Sequence, residues 1–113
     1  MEVTNILHNI EYGKEKPAIK VLVNNPSTKE IRIIFRRGQE MKQHQTNYPI
    51  VVEIVRGAID FGTDTTRHQL GQGSLLTLSP NIPHDLIAID DSIIRLTLHK
   101  SDDISRVEKL LEE

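Results

Sequence analysis

The sequence predicts an all-β fold, an antiparallel barrel or sandwich of short strands followed by one C-terminal helix. Three observations predict it. Apolar and polar residues alternate in segments spaced by roughly 8 to 12 residues, glycine and proline turns separate those segments, and isoleucine, leucine and valine dominate the apolar residues. With 113 residues the chain has material for one core, so we expect a single domain over residues 1–113, with a core at 18–100.

The first half of the chain moves from an irregular stretch into two strands. Residues 1–17 show no sustained period, so we expect them to wrap over the body as a short strand and loops. Residues 18–24 and 31–36 then alternate in polarity, with a turn between them and a break at Gly38. Ile34 lies on the polar side of its strand, which indicates that this outer surface is covered.

Residues 41–98 continue the pattern. A polar arm leads to a strand at 50–55, and Gly57 joins that strand by a tight turn to the next one at 58–61. A hairpin loop, a return strand and a second glycine turn follow. The turn at 79–84 carries two prolines and leads His84 into a long apolar run, because each proline restricts its own backbone and that of the residue before it. The total is about nine or ten strands.

The C-terminal residues depart from the period of two and predict a helix over about residues 101–113. Ser101 is a suitable N-cap, and Asp102 and Asp103 favour the positive end of a helix. Apolar residues then recur at helical spacing: Ile104, Val107, Leu110 and Leu111. We expect this helix to pack on the outside of the sheet.

Composition excludes several classes of function. The formal charge is −2, and no basic stripe is interleaved with aromatic residues, so we expect no nucleic-acid partner. No apolar run approaches the length of roughly 20 residues that spans a bilayer, and we expect no membrane partner. The chain has no cysteine, which excludes disulfides and thiolate metal sites and is consistent with a cytoplasmic location. Serine-hydrolase, phosphate-loop and dinucleotide motifs are also absent from the sequence.

Two segments each carry one histidine between glycine or proline turns. In the first, Gly38 is followed after five residues by His44, and Gly57 closes the segment. In the second, Gly73 is followed by a proline-punctuated turn that ends at His84. These segments resemble the two sequence motifs of the cupin family. The resemblance implies a cupin-type antiparallel β-barrel, or jelly roll, with the motif histidines pointing into its mouth.

The cupin resemblance also implies a place for a divalent transition metal such as Fe, Mn, Ni or Zn. In metal-binding cupins, two histidines and a glutamate of the first motif and a histidine of the second hold the ion. Only His44 and His84 match that set, because Thr46 and Ile50 stand at the other two positions. A neutral hydroxyl is a weak ligand, an isoleucine is none, and the charge of the missing carboxylate is lost. We therefore expect weak metal binding or none, unless Tyr48, His99, Gln43 or Gln45 completes the site.

Ordinary structural roles compete with these functional ones. His44 could be a solvated histidine, and His84 could satisfy backbone groups where its strand begins. Ile50 is also a core candidate, and Tyr48 is a loop residue before it is a ligand contact. His8, His68 and His99 lack motif context and are expected to be structural or exposed.

The function predicted first is binding of a small molecule in the barrel mouth. Its candidate ligand-binding residues are His44, Thr46, Tyr48, Ile50 and His84. The alternative is a metal-dependent enzyme of the dioxygenase, isomerase or decarboxylase type that many cupins are, and a metal-free enzyme with a histidine as general acid or base is a third possibility. We also expect a homodimer, with contacts through the outward apolar positions Ile34, Val51 and Val55.

Overall fold

The computed structural model describes residues 1–112 and shows nine strands and one helix in that part of the chain. The strands are β1 (Ala18–Asn24), β2 (Thr28–Phe35), β3 (Glu40–His44), β4 (Ile50–Arg56), β5 (Ala58–Thr63), β6 (Arg67–Gly71), β7 (Leu75–Leu78), β8 (His84–Ala88) and β9 (Ser92–His99). The helix is α1 (Ile104–Glu112). The all-β prediction with a C-terminal helix is confirmed, and the strand count lies within the expected range.

The strands form two antiparallel sheets with the core between them. One sheet has five strands in the order β1-β2-β9-β4-β7, and the other has four in the order β3-β8-β5-β6. Alternate residues of each strand point inward, so the core is a layer of aliphatic side chains with two phenylalanines. Its most deeply buried members include Ile31, Ile33, Phe35, Ile54, Ile59 and Leu98.

The N-terminal segment covers the outer face of β2, as the position of Ile34 suggested. Arg32 donates hydrogen bonds to the carbonyls of Ile6 and His8, and Arg36 donates to those of residues 12 and 13. Ile34 lies between these two arginines on the same face and is 1% exposed. The expected short strand is wrong, because residues 1–17 contain none. Arg32 on β2 and Arg36, directly after β2, hold this segment in place through its carbonyls instead.

Gly57 makes a corner between the sheets rather than a hairpin turn. β4 pairs with β7 and β9, whereas β5 pairs with β6 and β8, so the chain changes sheet at this residue. The φ angle of Gly57 is 92°, which side chains disfavour. A Cβ atom there would also collide with the carbonyl oxygen of Asp91 and the hydroxyl of Ser92. The corner therefore requires glycine for two separate reasons.

The helix starts later than predicted and packs elsewhere. α1 begins at Ile104, and Asp103 rather than Ser101 is its N-cap, because the Asp103 carboxylate accepts a hydrogen bond from the Ser105 amide at 2.9 Å. Val107 and Leu111 are buried in the main core. α1 therefore closes one end of the space between the sheets instead of lying outside a sheet. Residue 113, the last of the predicted helix, lies outside the described residues. No helix within 1–112 has the length and apolar character that a bilayer crossing requires.

Candidate functional site

His44 and His84 are direct cross-strand partners. β3 pairs with β8, and the register places His44 opposite His84, with ring centroids 4.2 Å apart and ring planes at 62°. The His84 ring also stacks on Phe61 at 5.6 Å. An irregularity in the pairing between Met41 and His44 lets two residues three positions apart both face inward, which regular alternation would forbid. The structure thus brings together the two histidines that the motif spacing had singled out.

Both imidazoles have their Nδ1 atoms engaged by the backbone. Nδ1 of His44 lies 2.7 Å from the carbonyl oxygen of Lys42, and Nδ1 of His84 lies 2.8 Å from that of Ile82. Because a carbonyl oxygen only accepts hydrogen bonds, each Nδ1 carries a proton. In the neutral ring, Nε2 then presents a lone pair. The two rings are therefore fixed as acceptors toward anything that occupies the space beside them.

The histidine pair is held in its neutral form. The pKa of His44 is lowered from its ordinary 6.5 to about 4. Burial of the ring is the main cause, the hydrogen bond to Lys42 opposes it, and the electrostatic effects of His84 and Arg106 act in the same direction as burial. Burial also lowers the pKa of His84, with Arg106 acting in the same direction. At neutral pH the site therefore offers lone pairs rather than positive imidazolium groups.

The histidines line a small, mostly apolar cavity of about 20 Å³ between the sheets. Thr46 and Ile50, both predicted as ligand-binding residues, also line it, whereas Tyr48 does not. Tyr48 stacks on His99 at 4.5 Å, so neither of these residues is placed to complete a metal site. The remaining lining residues are Met41, Val52, Phe61, Leu86, Ile94, Leu96, Leu98, Arg106 and Val107. A cavity of this size holds about one water molecule.

A buried carboxylate ties α1 to the barrel beside the cavity. Asp102 accepts a hydrogen bond from the Thr46 hydroxyl at 2.7 Å and two from Arg106 at 3.1 and 3.0 Å. Burial raises the pKa of Asp102, but the hydrogen bonds from Arg106 and Thr46 outweigh that effect and hold the pKa below its usual 3.8. Sequence reasoning missed Asp102 and Arg106 as site residues. Their i, i+4 spacing in a predicted helix was the one available signal.

The donor set does not fit a divalent cation. Among residues 1–112, no group of three or more histidine, aspartate or glutamate side chains is placed to hold a metal ion. The buried carboxylate beside the cavity, Asp102, is occupied by Arg106 and Thr46. Arg106 also brings a positive charge to the cavity wall, which opposes the binding of a second cation.

The depressed histidine pKa predicts a stability that falls in mild acid. His44 binds a proton near pH 6.5 in the unfolded chain but only near pH 4 in the folded protein. The free energy of unfolding is therefore highest above pH 6.5 and decreases as the pH falls toward 4. The loss is roughly 2 kcal/mol after allowance for partial solvent exposure of the ring. Urea unfolding between pH 7 and 4 should therefore show a shallower pH dependence for His44→Gln than for the wild type. His68→Gln, at an exposed position, is the matched control, and equal slopes in all three proteins would contradict the prediction.

Comparisons with known proteins agree with this architecture. The model of the AraC-like ligand binding domain matches residues 27–100, which is more than half of the chain. The chain belongs to this family. The AraC-like domain match and the similar solved structures together confirm the predicted small cupin domain. The comparison with curated proteins gave no match.

Several solved structures share the fold of this AraC-like domain. An RmlC-like cupin protein from Desulfovibrio desulfuricans has a TM-score of 0.80 at 19% identity, covering 88% of this chain and 97% of that one. KdgF from Halomonas sp. has a TM-score of 0.75 at 20% identity, covering 90% and 96%. A cupin superfamily protein from Desulfitobacterium hafniense has a TM-score of 0.77 at 13% identity, covering 88% and 92%. At these identities the likeness shows the fold alone.

Proposed function

We propose that this AraC-like domain binds a small organic molecule in the cavity beside His44 and His84. The observation that carries the proposal is the paired arrangement of the two imidazoles, each with Nδ1 occupied by backbone and Nε2 left as an acceptor. Aliphatic side chains line most of the cavity, and a few convergent polar groups at one end are typical of small-molecule sites. Of the predicted ligand residues, Thr46 and Ile50 belong to this site, and Tyr48 is a contact only for a ligand that extends beyond the cavity.

An organic ligand has to enlarge the cavity, because the present volume of about 20 Å³ suits one water molecule. Within each sheet, backbone hydrogen bonds join neighbouring strands, so these strands resist separation. The wall formed by Arg106 and Val107 comes from α1, which the Asp102 interactions and two buried apolar residues hold in place. We infer that an outward shift of α1, rather than separation of the strands, is the motion that admits a ligand.

We propose that this binding needs no resident divalent cation. Two imidazoles next to Arg106, with no carboxylate, are an insufficient ligand set for Fe, Mn, Ni or Zn. The alternative, a metal-dependent enzyme, would need a third ligand that is absent from the histidine, aspartate and glutamate groups of residues 1–112. A metal-free enzyme is favoured less, since a general base is most effective when its pKa lies near the working pH and that of His44 is about 4.

Metal analysis and titration test this proposal. Elemental analysis of the purified protein should find no stoichiometric transition metal, and added Fe, Mn, Ni or Zn should raise the melting temperature of the wild type no more than that of His44→Ala or His84→Ala. His68→Ala is the matched control for a histidine outside the cavity. Stoichiometric metal in the wild type that both cavity variants lose would refute the metal-free proposal and favour the enzyme.

We further propose that the chain forms a homodimer through the outer face of β4 and β7. Ile34 cannot contribute as expected, because the N-terminal segment covers it. Val51 is 37% exposed, and Leu75 on the neighbouring edge strand is 64% exposed. Light scattering at tens of micromolar should give twice the mass of the chain, and Val51→Lys should reduce it to that of a monomer. A monomeric wild type would contradict the proposal.

A further inference from the structure

One edge of the Arg106 guanidinium is buried without a partner. Its Nε and Nη2 atoms donate to Asp102 at 3.1 and 3.0 Å, which orients the guanidinium plane. Nη1 lies on the side away from this pair, is shielded from solvent, and has no hydrogen-bond acceptor among residues 1–112. A buried hydrogen-bond donor without an acceptor is unfavourable, above all on a charged group. An acceptor on a bound molecule would therefore stabilise Nη1.

Arg106 lies beside the histidine pair. It lines the same cavity as His44 and His84, and its charge is close enough to lower the pKa of both rings. The other charged groups that act on this space are committed to partners. Asp102 is bound by Arg106 and Thr46, and Asp85 is paired with Arg67 at 2.8 Å. The cavity therefore combines one positive donor with two neutral acceptors.

We propose that the ligand of this cavity is a small carboxylate with a neighbouring hydroxyl group. A carboxylate oxygen would accept a hydrogen bond from Arg106 Nη1, and the hydroxyl would donate to Nε2 of His44 or His84. This inference rests on the small-molecule binding proposed above and adds the chemical class of the ligand.

Each half of this chemistry follows from one kind of side chain. A guanidinium only donates, and ionised acceptors form its strongest hydrogen bonds. A neutral Nε2 beside a protonated Nδ1 only accepts, so a carboxylate, which also only accepts, cannot bond to it, whereas a hydroxyl can donate to it. The apolar walls leave room for a short carbon chain once α1 moves outward. The competing occupant is a single water molecule, which fits the cavity as it stands.

The test titrates glycolate and lactate into ¹⁵N-labelled protein and follows the Nε2 resonances of His44 and His84. Acetate lacks the hydroxyl and glycolamide lacks the carboxylate, so each removes one half of the proposed contact. We expect glycolate and lactate to shift both histidine resonances saturably, and acetate and glycolamide to bind at least about tenfold more weakly. Ethylene glycol serves as a neutral probe for binding at the histidines alone.

The decisive variant is Arg106→Gln, and the matched control is Lys109→Gln, which removes the same charge from an exposed position on the same helix. Arg106→Gln should weaken glycolate binding by roughly 10- to 100-fold and ethylene glycol binding far less, while Lys109→Gln should alter neither. Since Arg106→Gln leaves Asp102 unpaired, the double variant Asp102→Asn/Arg106→Gln is measured beside it, with circular dichroism to verify folding.

Three outcomes separate the two proposals. Saturable glycolate binding that depends on Arg106 supports both. If ethylene glycol shifts the histidines and glycolate does so no more strongly, with or without Arg106, the carboxylate inference is overturned and small-molecule binding stands. If none of the probes shifts either histidine at 100 mM or so, water is the occupant and both proposals are wrong.

Discussion

Replacing Gly57 with alanine is expected to lower the free energy of unfolding by about 3 kcal/mol, which is a large part of the stability of a domain this size. The φ angle of 92° disfavours any side chain, and the new Cβ would collide with the backbone of Asp91 and with Ser92. Ser92 is not free to move. Ser92 is fully buried, and its hydroxyl accepts a hydrogen bond from the Ala58 amide at 3.1 Å.

Gly38 and Gly73 are matched controls for this substitution. Their φ angles are 87° and 89°, close to that of Gly57, but a Cβ at either position would meet no atom within 4 Å. Gly38→Ala and Gly73→Ala should therefore cost only the backbone strain, about 1 kcal/mol. Urea unfolding of the three variants would separate the free-energy cost of backbone strain from the cost of the Cβ collision. Equal losses in all three would show that the sheet corner at Gly57 tolerates a side chain.

Replacing Asp102 with alanine is expected to cost about 2–3 kcal/mol and to loosen α1 before the sheets. The change leaves the Arg106 guanidinium and the Thr46 hydroxyl without their shared acceptor. The partial exposure of Arg106 keeps the expected cost below that of a fully buried pair. Hydrogen exchange should show faster opening of the α1 amides while the amides of β9 remain protected.

Thr46→Val gives a graded comparison for Asp102→Ala. It removes the hydrogen bond of 2.7 Å to Asp102 and the longer one of 3.4 Å from the Tyr48 amide, and it leaves Asp102 paired with Arg106, so about 1 kcal/mol should be lost. Glu108→Gln, exposed on the same helix, controls for loss of negative charge. If Asp102→Ala leaves the exchange of α1 unchanged, the carboxylate does not hold the helix against the barrel.

Periodicity and turn residues predict most of this fold, because both report on local backbone geometry. The strands from Ala18 to His99 follow the alternation, and the resemblance to the cupin motifs predicts that His44 and His84 point into one barrel mouth, where the structure pairs them across β3 and β8. The predictions that were wrong concern contacts between residues far apart in the sequence. The N-terminal segment is held by the arginine side chains of Arg32 on β2 and Arg36 just after it, and no local pattern in residues 1–17 predicts that contact.

The candidate site was only half predictable for the same reason. Thr46 and Ile50 were placed beside the histidines by their motif positions, and both line the cavity. Arg106 could not be predicted as a site residue. Helical periodicity identifies the apolar residues around it but does not indicate that α1 closes the barrel. Tyr48 is a predicted ligand contact because its loop, next to Pro49, is expected near the barrel mouth, yet its ring stacks on His99.

The irregular pairing of β3 has a consequence for aggregation. β3 is an edge strand of the four-stranded sheet, and a regular edge offers unpaired amide and carbonyl groups to any other chain in solution. The bulge that turns His44 inward interrupts that row, and the outward side chains of Glu40 and Lys42 add charge beside it. The same local distortion that builds the histidine pair thus protects the protein against edge-to-edge association at this strand.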